Sequence, residues 1–398
     1  MAPMWHGSNC DPKAMRESTG SRITLVVAQE VAEKLKRQLA GDSFVSGGRE
    51  WSTMRTVLRG TLEFLPVDRS DQESLQHAMK GADLVVHLAG PFQFGEPEVL
   101  QAAIATQTPY MDVSDDLDYG LKCKQLSKAA AGAGIAAVTT CGIYPGLSNI
   151  MAASLVRMHK EEEETSEVPS TIEFAYFTAG TGGVGPTILE AMFLLMAKDA
   201  LVYEDAQAKH YPPLSLQKEV DFGSRGPGIG KRRTMCLNLP EVWSAHEVLG
   251  VPNVSAYFGT SPDFWNLLLL AMVAFLPRTL LNDRGFVQKL ASATLPVNRL
   301  VDVFAGSAAG IRIDIKDEAN RILRTGLWTG KYLSQATGRA TAAMALELLE
   351  LQGQGGLPGG VWYPEEVMLG SVESEQRFLT RAVGPGAAAC NAVSLAPR

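Results

Sequence analysis

The chain lacks several features that would narrow its class at once. Its five cysteines, Cys10, Cys123, Cys141, Cys236 and Cys390, are odd in number and stand at no metal-ligand spacing. That excludes a disulfide framework or zinc module and fits reduced thiols in an intracellular compartment. The six histidines are scattered, so no metal site is expected. Residues 1–22 have no apolar core, so no secretory signal is expected, and Asp11 and Glu17 break a transit-peptide pattern. A net charge of −7 argues against a nucleic-acid partner. The longest apolar run, residues 264–276, contains Asn266 and ends at Pro277. It falls short of the roughly 20 residues a bilayer span needs. A buried helix is the ordinary reading, and a membrane-dipping or partner-binding helix the alternative.

What is present is a globular composition, 46% hydrophobic and 20% charged, over 398 residues, enough for two domains. Residues 83–116 are the most informative stretch. Leu84 to Ala89 is a continuous apolar run, as in a strand covered on both faces. Gly90-Pro91 ends it, a helix follows, and Tyr110-Met111-Asp112-Val113 starts the next strand. This is one right-handed crossover unit. Its loops emerge at the carboxyl ends of strands, where open α/β sheets bind ligands.

The alternation extends on both sides. Residues 22–28 read as a strand, 29–40 as a helix and 41–60 as a loop. Residues 61–68 read as a strand whose Pro66 suits an edge. Ser70 with Glu73 reads as a capping box opening a helix to about Lys80. Residues 117–133 read as a helix and Ile135–Thr140 as another strand. Residues 22–158 are therefore expected to form a doubly wound parallel α/β sheet. After the acidic run Glu161–Glu164 the pattern changes. Strands at 171–178, 233–239, 254–258 and 311–315 mix with helices at 186–197 and 338–351. The expected division is a segment 1–21, a first domain 22–158, a mixed α/β domain 159–336, and residues 337–398 packing back on the first.

Five motifs carry candidate chemistry. Asp68 ends a sheet segment and can accept from an adenine amino group or favour a helix start. Ala89-Gly90-Pro91-Phe92 follows a buried strand, and its small residues allow close approach of a cofactor; His87, inside the strand, reads as a core histidine. Asp112 and Asp115 can orient a substrate amine or cap a helix. Gly142-Ile143-Tyr144-Pro145-Gly146-Leu147-Ser148-Asn149 joins a strand to a helix, whose free amides could hold an anion. Tyr144 is the one acid–base side chain in that turn, or else a packed aromatic. Gly180-Thr181-Gly182-Gly183-Val184-Gly185 satisfies G-x-G-x-x-G but lies outside the doubly wound half. It reads as a substrate-side loop, and Lys231-Arg232-Arg233 as a solvated hairpin edge.

The collinear set DLVVHLAGPF, GEPEVLQAAI, PYMDVSDD and GIYPGLSN resembles the saccharopine dehydrogenase-like family. TAGTGGVGPTIL, LNLPEVWSAHEVLGVP and GGVWYPEE resemble its plant and algal branch. The resemblance runs from about residue 22 to about residue 385. It implies a Rossmann domain, a mixed α/β domain and a C-terminal helix returning to the first. It also implies NADP or NAD as cofactor, a small-molecule substrate and a possible homodimer, in the plastid or the cytoplasm. Asp68, Ala89, Gly90, Pro91 and Phe92 would border the cofactor. Tyr144 and Asp112 would be the catalytic candidates. Asp115, Gly142, Asn149, Thr181 and Gly182 would face the substrate. The family's first strand and Gly-rich turn have no counterpart in residues 1–21, so the chain joins the pattern at its second strand. Loss of a central strand leaves its neighbours with unpaired amides, each costing about 1–3 kcal/mol when buried. Either a natural segment is missing, the sheet closes differently, or the cofactor site is degenerate. The expected activity is hydride transfer to or from a carbon bearing an amine or hydroxyl. The alternative is a degenerate binding or membrane-associated scaffold on the same fold.

Overall fold

The computed structural model describes residues 23–26, 65–164, 167–180, 186–224, 228–383 and 394–395. The helix expected at 29–40, the loop at 41–60, residues 61–64 and the loop 181–185 with Thr181 and Gly182 lie outside them.

Strands β1 (Ile23–Val26), β2 (Leu84–His87), β3 (Tyr110–Asp112) and β4 (Ala136–Val138) stand side by side in one parallel sheet, with β13 (Gly360–Trp362) beyond β4. No gap separates β1 from β2. β1 pairs directly with β2, Ile23 opposite Leu84, and Leu88 N–H donates to Val26 O at 2.8 Å. The strand read as second therefore stands beside β2 and satisfies its ladder. β1 is the edge of the described sheet, with Ile23 38% and Leu25 49% exposed.

Helices α1 (Gln72–Met79), α2 (Glu98–Ala105), α3 (Leu117–Gln125) and α4 (Ser127–Gly132) connect these strands. Residues 65–68 form no strand. The cap of α1 is Asp71, not Ser70; its carboxylate accepts from Glu73 N–H. Alternate strand residues point to opposite faces. Val85, Tyr110 and Ala137 pack with Leu75, Met79, Val99 and Leu100 of α1 and α2. Leu84, Val86, Met111 and Val138 face the rest of the molecule.

That second face meets α5 (Leu147–Glu162), which is buried along its first ten residues and lies between two sheets. The second sheet contains β5 (Thr171–Ala179), β6 (Ala200–Glu204), β7 (Gln207–Tyr211), β10 (Asn253–Ser261), β11 (Ala308–Lys316), β12 (Ile322–Gly330) and β14 (Ser394–Leu395). Its order is β14-β12-β11-β5-β10-β6-β7, with the hairpin of β8 (Lys218–Asp221) and β9 (Lys231–Cys236) joined to β10. Its helices are α6 (Pro186–Leu195), α7 (Pro240–Leu249), α8 (Asp263–Phe275), α9 (Arg278–Leu281) and α10 (Arg284–Ala305). The chain then returns. α11 (Leu333–Gly353) reaches the first domain, where Thr341 Oγ1 donates to Cys141 O at 3.3 Å. β13 completes the first sheet, and α12 (Pro364–Met368) and α13 (Val372–Val383) follow. The returning element is thus a strand as well as helices, because β4 needs a ladder partner on its outer side.

Candidate active site at the ends of the parallel strands

The carboxyl ends of β2, β3 and β4 carry most of the residues the sequence singled out. At β2, His87 is buried and its Nδ1 accepts from Ala89 N–H at 3.4 Å. Burial, with Arg69 nearby, lowers its pKa to about 3, so it is a neutral core histidine as expected. Phe92 is buried edge-on to His87 and Tyr119, with ring centroids 5.0 and 5.1 Å apart. It anchors the loop, leaving Ala89, Gly90 and Pro91 as the candidate cofactor wall. Asp68 is exposed, and its Oδ1 accepts from Ser70 N–H and Oγ–H at 2.9 and 2.7 Å, which lowers its pKa. The sequence reading missed Arg69. Its Nη1 donates to Ala89 O at 2.6 Å and brings a guanidinium to this wall. Small residues plus a cation fit the sugar-phosphate part of a nicotinamide nucleotide.

At β3 two aspartates have opposite fates. Asp112 is fully buried. Its Oδ1 accepts from Ser114 N–H, Thr139 Oγ–H and Thr140 N–H, and its Oδ2 from Tyr110 O–H, all within 3.0 Å. Burial raises its pKa against the pull of these donors. The carboxylate ties the ends of β3 and β4 together and has no free face, so it frames the crevice rather than acting in it. Asp115 is only half-buried. Its Oδ1 accepts from Gln93 Nε2 at 3.1 Å. Burial and the neighbouring Asp116 raise its pKa to about 6, inside the range useful for acid–base work. Asp116 caps α3 through Tyr119 N–H and pairs at 2.5 Å with Lys198, in the turn after α6, which links the two domains.

At β4 the turn is shaped by Gly146. Its φ of 125° lies in the region that favours glycine, and a Cβ there would stand 2.2 Å from Gly142 O. The amides expected to be free for an anion are used internally. Gly146 N–H donates to Asn149 Oδ1, Leu147 N–H to Gly142 O and Ser148 N–H to Ile143 O. Gly142 thus closes the turn. Asn149 is buried and its Nδ2 donates to Ser244 Oγ at 2.9 Å and Glu365 Oε1 at 3.0 Å. It holds α5, α7 and α12 together instead of facing a substrate. Tyr144 stacks on Tyr176 of β5 with centroids 4.7 Å apart. Its hydroxyl is buried without a partner, and burial raises its pKa far above the ordinary value. It is a proton donor, not a base, near neutral pH.

Beside it lies a cluster that no sequence motif marks. Glu241 Oε1 accepts from Tyr176 O–H at 2.8 Å and Ser148 Oγ–H at 3.2 Å. Glu241 and Glu365 are both fully buried, and each occupies the second position of a helix begun by proline, α7 and α12. The two Pro-Glu pairs were visible in the sequence; their meeting was not.

Residues 22–138 match the family model described as the saccharopine dehydrogenase NADP binding domain. The match covers the parallel strands β1 to β4 and the helices between them, under a third of the chain. Across the whole chain the saccharopine dehydrogenase-like fold is shared with apo saccharopine dehydrogenase (L-Glu forming) from Saccharomyces cerevisiae, at 13% identity and TM-score 0.54, covering 90% of this chain and 96% of that one. It is also shared with the homospermidine synthase of Legionella pneumophila solved with NAD, at 9% identity and TM-score 0.55, covering 94% and 91%. A curated relative, the lipid droplet localized protein of Caenorhabditis elegans, is 28% identical over 116 residues, 26% of this chain. The match spans 27% of that relative's length.

Proposed function

We propose that the protein is a saccharopine dehydrogenase-like NAD(P)-dependent oxidoreductase. The observation that carries the reading is the juxtaposition of an NADP-binding domain with a half-buried carboxyl, Asp115, at the strand ends. A bound nicotinamide supplies a hydride acceptor or donor. Ala89, Gly90 and Pro91 would border the nucleotide, with Asp68 and Arg69 toward its adenosine end. Asp115 would accept or return the proton of a substrate amine or hydroxyl, and Tyr144 would donate to developing charge. Thr181 and Gly182 are kept as substrate-facing candidates from the sequence.

Titration with NADPH and NADH, followed by nicotinamide fluorescence, tests the reading. Saturable binding is expected. Arg69→Ala should weaken it about tenfold, the loss of one charge-assisted hydrogen bond. Absence of binding by the intact chain to both nucleotides would sink the proposal.

A second reading, attachment to a lipid surface, is supported by α8. Phe264, Leu267, Leu268 and Phe275 are exposed on it, Phe275 by 82%, while Asn266, Leu269 and Met272 face inward. Residues 264–277 carry no charge, and Arg278 and Arg284 follow. No helix among the described residues is long and apolar enough to cross a membrane, so contact would be from one side. The relative named for lipid droplets points the same way. Flotation with phosphatidylcholine vesicles should carry the wild type and leave a Leu267→Glu, Phe275→Glu variant behind. Equal behaviour of the two would remove this reading and leave the enzymatic one intact.

A further inference from the structure

We propose that Glu241 and Glu365 form a pH-sensitive latch, which clamps α7 and α12 onto the start of α5 while the seam holds a proton and loosens when both carboxyls are ionised. The argument begins with position. The two acids come from helices more than a hundred residues apart in sequence, and both meet the first turn of α5. Ser148 donates to Glu241, while Asn149 donates to Glu365 and to Ser244 of α7. These few bonds join the returning C-terminal segment to both domains.

Charge balance comes next. Among the described residues neither carboxyl is in an ion pair with a lysine or arginine. Each has one oxygen, Glu241 Oε2 and Glu365 Oε2, buried without a partner. Two ionised, unpaired carboxylates in one buried seam repel and are poorly solvated.

The titratable groups around the pair offer no compensation. The crevice turn contributes Tyr144 and β5 contributes Tyr176. The loop after β4 contributes Cys141, and Tyr363 and Glu366 flank Glu365 on its own element. The phenols and the thiol are pushed up by burial and stay neutral. Lys124 is engaged by Glu366 at 2.7 Å and stands over the Tyr363 ring. Burial raises the pKa of Glu241 to about 7 and that of Glu365 above its ordinary value, so a proton is held in the seam in mildly acid solution. Ser148 and Tyr176 donate to Glu241 and Asn149 donates to Glu365, and neither Oε2 has a donor to meet a full charge on both acids.

Amide hydrogen exchange of the full chain at pH 6 and pH 8, corrected for intrinsic rates, is the test. Protection in residues 240–249 and 363–368 should fall about tenfold at pH 8, the equivalent of one pKa unit. Protection in β2, β3 and β4 should stay within about twofold on the same scale. Glu241→Gln and Glu365→Gln should each abolish the fall, because an amide keeps the neutral shape and cannot ionise. Unchanged protection of α7 and α12 between the two pH values would overturn the latch. So would a fall shared equally by the whole chain, or one that persists in both variants. The wild-type comparison decides alone should either variant fail to fold.

Discussion

The crevice and the seam both bury carboxyl groups, and they treat them in opposite ways. Asp112 at the end of β3 receives four donors from three neighbouring segments. Glu241 and Glu365 receive two donors or fewer from surrounding side chains and each keeps an unpartnered oxygen. Burial disfavours the charged form in both places. What differs is the supply of donors, which decides whether a buried acid works as a rivet or as a proton store. Asp115 is a third case: partly open, with a single side-chain donor in Gln93, it is the carboxyl left for chemistry.

The largest effect expected from breaking this contrast is at the rivet. Asp112→Ala strands Ser114 N–H, Thr140 N–H and the hydroxyls of Thr139 and Tyr110 in a dry interior. It should cost at least about 3 kcal/mol, read from urea unfolding, with Asp112→Asn substantially milder. If Asp112→Ala unfolds like the wild type, the rivet is wrong.

The pH dependence of stability sharpens the same comparison from both sides. His87 has a folded pKa of about 3, below its ordinary 6.5. Its contribution is fully present above pH 6.5 and is lost as the pH falls toward 3, by about 4–5 kcal/mol in total. Glu241 acts in the opposite sense. Its folded pKa of about 7 exceeds the ordinary 4.5, so stability is lost as the pH rises from 4.5 to 7 and then levels off. Melting temperatures across pH 3–9 should show an acid limb that flattens in His87→Leu and an alkaline limb that flattens in Glu241→Gln. A profile unaffected by either substitution would contradict both assignments.

The smallest effect is expected between the domains. Lys198→Met removes the pairing with Asp116 and Asp118, at 2.5 and 2.7 Å. It should lower stability by about 1–2 kcal/mol, less at high salt, because Asp116 is buried and Asp118 is exposed. Equal destabilisation in low and high salt would show that the lysine acts by packing instead.

The parallel sheet was legible in the sequence wherever local rules were strong. The apolar run 84–89, the Gly-Pro stop and the alternation through residue 140 identified β2, β3 and β4 and the crevice at their ends. Reading failed where the deciding contact is distant. The 61–68 segment has strand-like residues, yet 65–68 take no ladder partner. Ser70 and Glu73 fit a capping box, yet Asp71 is the cap. The family resemblance put Asn149 at the substrate, and its partners Ser244 and Glu365 are invisible until α7 and α12 are packed.

By itself, then, the sequence determined the α/β class, the crossover unit and its resemblance to saccharopine dehydrogenases, because side-chain periodicity and turn chemistry act within a few residues of chain. Tertiary structure alone decided three other things. It brought β1 against β2, since ladder amides must find partners. It divided Asp112 from Asp115, since their charge states depend on which distant donors arrive. It joined two Pro-Glu helix starts into one buried pair, since their meeting depends on packing across the whole chain.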